Sequence, residues 1–240
     1  MKHISSLLLF SFILSLATVS VAYSQILPQR DRATLRDEII KDRFDTLLPK
    51  LMDDTGIDMW LVIAREYNED PVMRTMLPAT WLNARRRTIL VFYRNKAQNT
   101  LERLAVARYD VGANITSSWD KEKQPNQWER LVEIIKERPV KKIGINTSKH
   151  FGIADGLVHT DYQELMEALP SDLEEKIVSA EKLAIGWIET RTAKEMLLYN
   201  QLVDITSAII DQAFSAEVIT PGKTTTDDIV WWLRQKVTSL

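Results

Sequence analysis

The residue types able to do chemistry are few in this chain. Of its three histidines, His150 follows a predicted strand beside Gly152, and His159 begins a predicted helix with Asp161 close by. Imidazole is the side chain that changes charge near neutral pH, so either residue could act as base or ligand; at a loop or helix end, either could equally be a surface or capping residue. Carboxylates occur in pairs at Asp53-Asp54, Glu69-Asp70, Glu174-Glu175 and Asp227-Asp228. Adjacent side chains on a helix or strand point apart, so such pairs suit solvated helix ends better than a shared ion. Arg85-Arg86-Arg87 precedes a predicted strand, where it could receive a carboxylate or phosphate, or guard a strand edge in solvent. Trp81 and Trp119 lie in irregular segments, where aromatics serve recognition or pack beneath loops.

The search for catalytic motifs is otherwise negative. The sequence has no Gly-x-Ser-x-Gly elbow, phosphate-binding glycine loop, dinucleotide fingerprint or His-Glu-x-x-His pair. With 240 residues, 45% hydrophobic and 27% charged, the composition is that of an ordinary globular protein. The absence of cysteine excludes disulfides, zinc ribbons, iron–sulfur clusters, thiol nucleophiles and lipidated-cysteine anchors. A formal net charge of −2 with no basic tract argues against nucleic-acid binding. Asn114-Ile115-Thr116 and Asn146-Thr147-Ser148 match the glycosylation acceptor pattern.

At the amino terminus, Lys2 precedes an apolar run from Ile4 to Ala22, and no acidic residue occurs before Asp31. Small residues at Ala22 and Ser24 complete the pattern of a secretory signal peptide over residues 1–24, with cleavage before Gln25. The alternative, an uncleaved anchor, requires about 20 apolar residues, and Ser5, Ser6, Ser11 and Ser15 dilute the run. Export to the periplasm or exterior, without a stable membrane anchor, is therefore expected.

The elements that must position these residues follow from periodicity. Leu35, Ile39, Phe44, Leu47, Leu48 and Leu51 predict an amphipathic helix over 29–55, kinked at Pro49 and ended by Gly56. Residues 57–64 form a strand apolar on both faces, hence central in a sheet. From Arg65 to Arg87 the pattern is irregular, with Pro71 and Pro78 as breakers. Strands at 88–94 and 101–109 make a hairpin, followed by a helix at 127–138, a strand at 141–146, a helix at 159–169 stopped by Pro170, and a short strand at 176–180. Beyond Thr190 the character changes. Thr192 with Glu195 is a capping-box signature opening a helix to about residue 217, and Thr225 with Asp228 opens another carrying Trp231-Trp232. Two helices are too few for a core of their own; they read as the start of a second domain or as an extension of the first.

Taken together, these runs resemble the exported branch of the Xaa-Pro aminopeptidase, prolidase and creatinase family of metallopeptidases. The runs are Leu51-Met52 with Gly56 to Trp60, Arg65 to Pro71, Ala84 to Phe92, Ile143 to Asn146 leading to Ala154 to Leu157, Glu189-Thr190-Arg191 with Lys194-Glu195, Pro221 to Thr224, and Asp228 to Trp232. The resemblance implies an α/β creatinase-like amino-terminal domain over 25–185, a mixed sheet flanked by helices. Residues 190–240 would be the first two helices of a pita-bread α+β domain, incomplete here. It also implies proline-containing peptides as substrates, a homo-oligomer and, in the complete protein, a pair of manganese, cobalt or zinc ions. The family's ligands, two aspartates, a histidine and two glutamates, have no matching positions in this sequence. No catalytic, cofactor-binding or metal-ligating residue is therefore assigned, and this portion is expected to bind no cofactor and to be inactive alone. Asp204 and Asp211, seven apart on one helix face, could approach an ion, but a solvent-facing stripe is the simpler account. A non-catalytic binding or oligomerisation domain is the alternative.

Mass spectrometry of the exported protein is expected to find Gln25 as the first residue; retention of Met1 would refute the leader.

Overall fold

The computed structural model describes residues 26–240; the expected leader lies outside them. Gln29–Leu197 forms one compact unit, and Leu198–Leu240 belongs to a second. The first unit is built on a six-stranded mixed sheet in the order β4-β3-β2-β1-β5-β6. Its strands are β1 (Met59–Arg65), β2 (Arg87–Asn95), β3 (Thr100–Val106), β4 (Thr116–Ser117), β5 (Ile143–Ile145) and β6 (Ile177–Ser179). β2 runs antiparallel to both its neighbours, while β1, β5 and β6 are mutually parallel and β3 and β4 pair in parallel. This is the α/β architecture expected from the sequence, a mixed sheet flanked by helices.

Both faces of the sheet are covered, which explains why β1 reads as continuously apolar. Trp60, Val62, Ala64, Leu90 and Phe92 point to one face, and Met59, Leu61, Ile63, Ile89 and Val91 to the other. The first face is covered by α1 (Gln29–Asp42), α2 (Leu48–Thr55), α3 (Pro71–Met76) and α7 (Glu181–Glu189), the second by α4 (Gln127–Lys136), α5 (His159–Ala168) and α6 (Ser171–Glu174). A boundary at residue 185 falls inside α7, whose Leu183, Ala184 and Trp187 are core residues.

Two local expectations are corrected. The long first helix is interrupted before Pro49, by a π turn at Arg43–Leu47 in which Leu48 N–H reaches back to the Arg43 carbonyl. Pro49 has no N–H to offer the carbonyl four residues earlier, and the helix widens just upstream to accommodate it. Within that turn Phe44 stacks on Trp187 at 5.3 Å and Arg43 lies over the same indole at 4.5 Å. Gly56 then ends α2 in the left-handed conformation, φ 69°. Second, Pro71 starts a helix: it occupies the first position of α3, where its missing N–H is not needed, and Asp70 is the cap. The remaining elements lie within a few residues of expectation, except that β4, α6, α7 and a 3₁₀ turn at Gly152–Ala154 have no counterpart in the sequence expectations and the second hairpin strand stops at Val106.

A buried polar relay ties β1, α3 and β5 together. Trp60 Nε1 donates to Asn146 Oδ1 at 2.8 Å, and Asn146 Nδ2 donates to Asp70 Oδ2 at 2.8 Å. Asp70 Oδ1 accepts the Val72 and Met73 amides at 2.7 and 3.2 Å. The Asn146 carbonyl accepts Leu157 N–H at 3.1 Å, which draws in the loop carrying Gly156. A Cβ at Gly156 would stand 2.2 Å from Asp70 Oδ2, so the carboxylate occupies the space of an absent side chain. Trp60 and Asp70 are fully buried and Asn146 is 1% exposed.

Burial pushes the Asp70 carboxyl above its ordinary value, opposed by the bonds from Asn146, Met73 and Val72. The folded chain thus holds this proton more tightly than the unfolded chain. The Asp70 contribution to stability is present in full below the ordinary carboxylate pKa and is lost as pH rises through the raised value. In Asp70→Asn a second NH₂ group meets Asn146 Nδ2, which cannot turn away because its oxygen is held by Trp60. Urea unfolding is expected to show a loss of about 1–3 kcal/mol, narrowing as pH rises from about 4 toward 7; a gap that widens over that range would contradict the assignment.

Candidate functional site

One end of the sheet, where β2 begins and β3 and β4 finish, brings together the basic and aromatic residues that stood apart in the sequence. A cleft of about 400 Å³ there is lined by Trp81, Arg85, Arg86, Arg87, Arg108, Tyr109, Trp119 and Lys121, with Thr88, Ala107 and Gln127. The antiparallel pairing of β2 with β3 sets Ile89 opposite Val106, so the residues before one strand and after the other meet. The Arg85-Arg86-Arg87 run thus shares one cleft with Trp81 and Trp119. Arg108, Tyr109 and Lys121 were missed; the only sequence signal for them was a basic–aromatic pair directly after a strand and a lysine in a charged turn.

Three of these residues are held by specific local contacts, Arg85 and Trp119 through their side chains and Arg86 through its backbone. Arg85 lies with its guanidinium 4.5 Å from the Trp81 ring and 5.5 Å from that of Tyr109. Arg86 adopts φ 55°, a left-handed conformation uncommon for residues other than glycine, asparagine and aspartate. Glu66 holds it there: Glu66 N–H donates to the Arg86 carbonyl at 2.6 Å, and Arg86 N–H donates to Glu66 Oε2 at 3.2 Å. Such a conformation costs of order 1–3 kcal/mol and persists only where surrounding bonds impose it. Trp119 is anchored by its indole N–H, which donates to the Gln124 carbonyl at 2.8 Å.

The charges on the cleft divide into two groups. Arg87 is neutralised from behind by Asp161 and Glu164, which lie one helical turn apart on α5. The Asp161 side chain is fully buried, with Oδ1 2.7 Å from Arg65 Nη2 and 3.0 Å from Arg87 Nε. The latter contact is ionic only, because Arg87 Nε and Asp161 Oδ2 both lack an aligned hydrogen-bond partner among the described residues. Glu164 joins Arg65 at 3.2 Å, bonds Arg87 Nη2, and accepts Trp128 Nε1 at 2.9 Å. The Trp128 indole bond first, then the Arg87 and Arg65 charges, hold the Glu164 carboxyl below its usual range against the opposing effect of burial. By contrast, Arg85, Arg86, Arg108 and Lys121 have no carboxylate within ion-pair distance among the described residues. Four uncompensated cations therefore face one cleft, which no carboxylate lines.

The other sequence candidates do not converge on this cleft. His150 is exposed and lines a separate opening of about 600 Å³ with Lys142, Lys149, Lys182, Asp155 and Glu181. Ser148 in that opening is committed, donating to Glu181 and accepting the His150 and Phe151 amides at 3.1 and 2.9 Å. His159 is exposed on the first turn of α5. Three of the four acidic pairs supply a cap or an ion pair: Asp70 caps α3, Asp53 pairs with Arg94 at 2.9 Å, and Asp228 caps α9 (Thr226–Thr238). The Glu69-Asp70 pair departs from a solvated helix end, since Asp70 is buried. Asn146 is likewise buried in the relay, so its acceptor pattern cannot be modified in the folded chain. Asp204 and Asp211 are exposed on α8 (Ala193–Ala213), and Trp231 is exposed beside a half-buried Trp232 on α9.

No protein-family model matches the sequence, and no curated protein sequence matches it. Among solved structures the chain is similar to an Xaa-Pro dipeptidase from Bacillus anthracis, with 16% sequence identity and a TM-score of 0.47. That alignment covers 85% of this chain and 49% of the dipeptidase, so the chain spans about half the length of that structure.

Proposed function

We propose that this chain is the amino-terminal portion of an exported peptidase of the Xaa-Pro aminopeptidase, prolidase and creatinase type, and that it shapes access to peptide substrate and supports oligomer contacts. The observation that carries this reading is where the family-like runs fall. Gly56 to Trp60, Arg65 to Pro71, Ile143 to Asn146 and Ala154 to Leu157 supply the residues of the Trp60–Asn146–Asp70 relay and the loop that closes on it. Runs scattered over about a hundred residues thus serve one packing arrangement, as expected if they mark a common domain. Residues 1–24 as a cleaved leader supply the export.

A metal pair does not fit the described residues. Among them no three histidine, aspartate or glutamate side chains stand together to hold an ion, and a bridged two-metal centre needs several convergent carboxylates. No metal-dependent step is assigned to these residues. A second reading, a binding domain without hydrolytic activity, is favoured by the basic cleft, whose residues require no metal to engage a ligand.

The 240-residue chain with added manganese is expected to leave a Xaa-Pro tripeptide intact, whereas a product of the same gene extended beyond Leu240 is expected to release its first residue. Turnover by the 240-residue chain would overturn the inactivity of this portion, and inactivity of an extended, folded and metal-loaded product would overturn the peptidase reading.

A further inference from the structure

We propose that the cleft at the β2–β3 end of the sheet binds a small organic phosphate monoester, independently of any peptidase relation. Charge selects the ligand first. Arg85, Arg86, Arg108 and Lys121 line the cleft, and among the described residues no carboxylate lines it with them; like charges gathered without counter-charge attract an anion. Because several cations contribute, a dianion gains more than a monocarboxylate does, and guanidinium forks match phosphate oxygens in paired hydrogen bonds.

Preorganisation points the same way. Trp81 and Tyr109 cover the face of the Arg85 guanidinium, so its N–H edge is left to donate. The bonds with Glu66 hold the Arg86 backbone in its left-handed conformation, which fixes where its side chain leaves the main chain. A guanidinium already stacked before the ligand arrives, as that of Arg85 is, loses less freedom on binding. Size sets the remainder of the ligand: about 400 Å³ exceeds what a bare phosphate fills and lies within the range of small-molecule pockets. Trp119, anchored through its indole N–H, offers an apolar wall to an attached ring or chain.

The test is isothermal titration of the purified chain at low salt with phenyl phosphate, inorganic phosphate and benzoate as probes. Saturable binding of one phenyl phosphate per chain is expected, weakened by added sodium chloride, with inorganic phosphate and benzoate each at least tenfold weaker. Arg85→Gln with Arg108→Gln is expected to weaken phenyl phosphate at least tenfold. Arg86→Gly, which suits a left-handed backbone, is expected to weaken binding while its melting temperature holds or rises, keeping the result readable should the double variant fold poorly. Absence of saturable binding by the unaltered chain, equal affinity in the folded variants, or equal affinity for benzoate would overturn the proposal.

Discussion

A carboxylate removed from water must have its oxygens met by fixed donors, and Asp70 imposes that demand on the centre of this fold. Its partners come from α3, from the end of β5 and, through Asn146, from β1. The orientation of the Asn146 amide is fixed because Trp60 can only donate, and Asp70 therefore receives the amide N–H. Gly156 leaves the room in which the carboxylate sits. A relay so fully connected specifies one arrangement, since any register shift of β5 against β1 would strand several buried polar atoms at once.

That constraint also positions the basic cleft, though from a distance. β1 is paired along its length with β2, from Met59 opposite Tyr93 to Arg65 opposite Arg87. Fixing β1 therefore fixes where Arg87 emerges, and the Asp161–Glu164 pair on α5 clamps Arg65 and Arg87 side by side at that end. Arg87 has the structural task, with its charge met from behind, whereas Arg85 and Arg86 just before it remain turned to the cleft. One tribasic run thus divides between fold and surface, and the division comes from packing on α5 far along the sequence.

How much of this was legible follows from the range of each interaction. The apolar run of β1, the hairpin, α4 and both threonine-led caps at Thr192 and Thr225 were readable because periodicity and capping are local. Asp70-Pro71 carries a helix-start signal, but a six-residue helix is too short to show periodicity and Pro71 alone suggests a break. The π turn at Arg43–Leu47 left no local signal beyond Pro49. Of the cleft, Arg85 to Arg87, Trp81 and Trp119 were singled out by type alone; that they meet one another, and Arg108, Tyr109 and Lys121, depends on strand pairing. The buried role of Asn146 was invisible, because a glycosylation acceptor pattern and a core amide have the same letters.

The buried relay fixes the strands on which the basic cleft depends, and that dependence is most directly tested at the relay itself. Native-state hydrogen exchange should be followed at the Trp60 indole N–H, the Asn146 side-chain amide and the Val72 backbone amide. All three are expected to exchange only through global opening, with protection equal to the unfolding free energy from urea titration. Exchange of the Trp60 indole or Val72 amide through a lower-energy local opening, while the β1–β2 amides stay protected, would contradict the relay as the constraint on which the sheet depends.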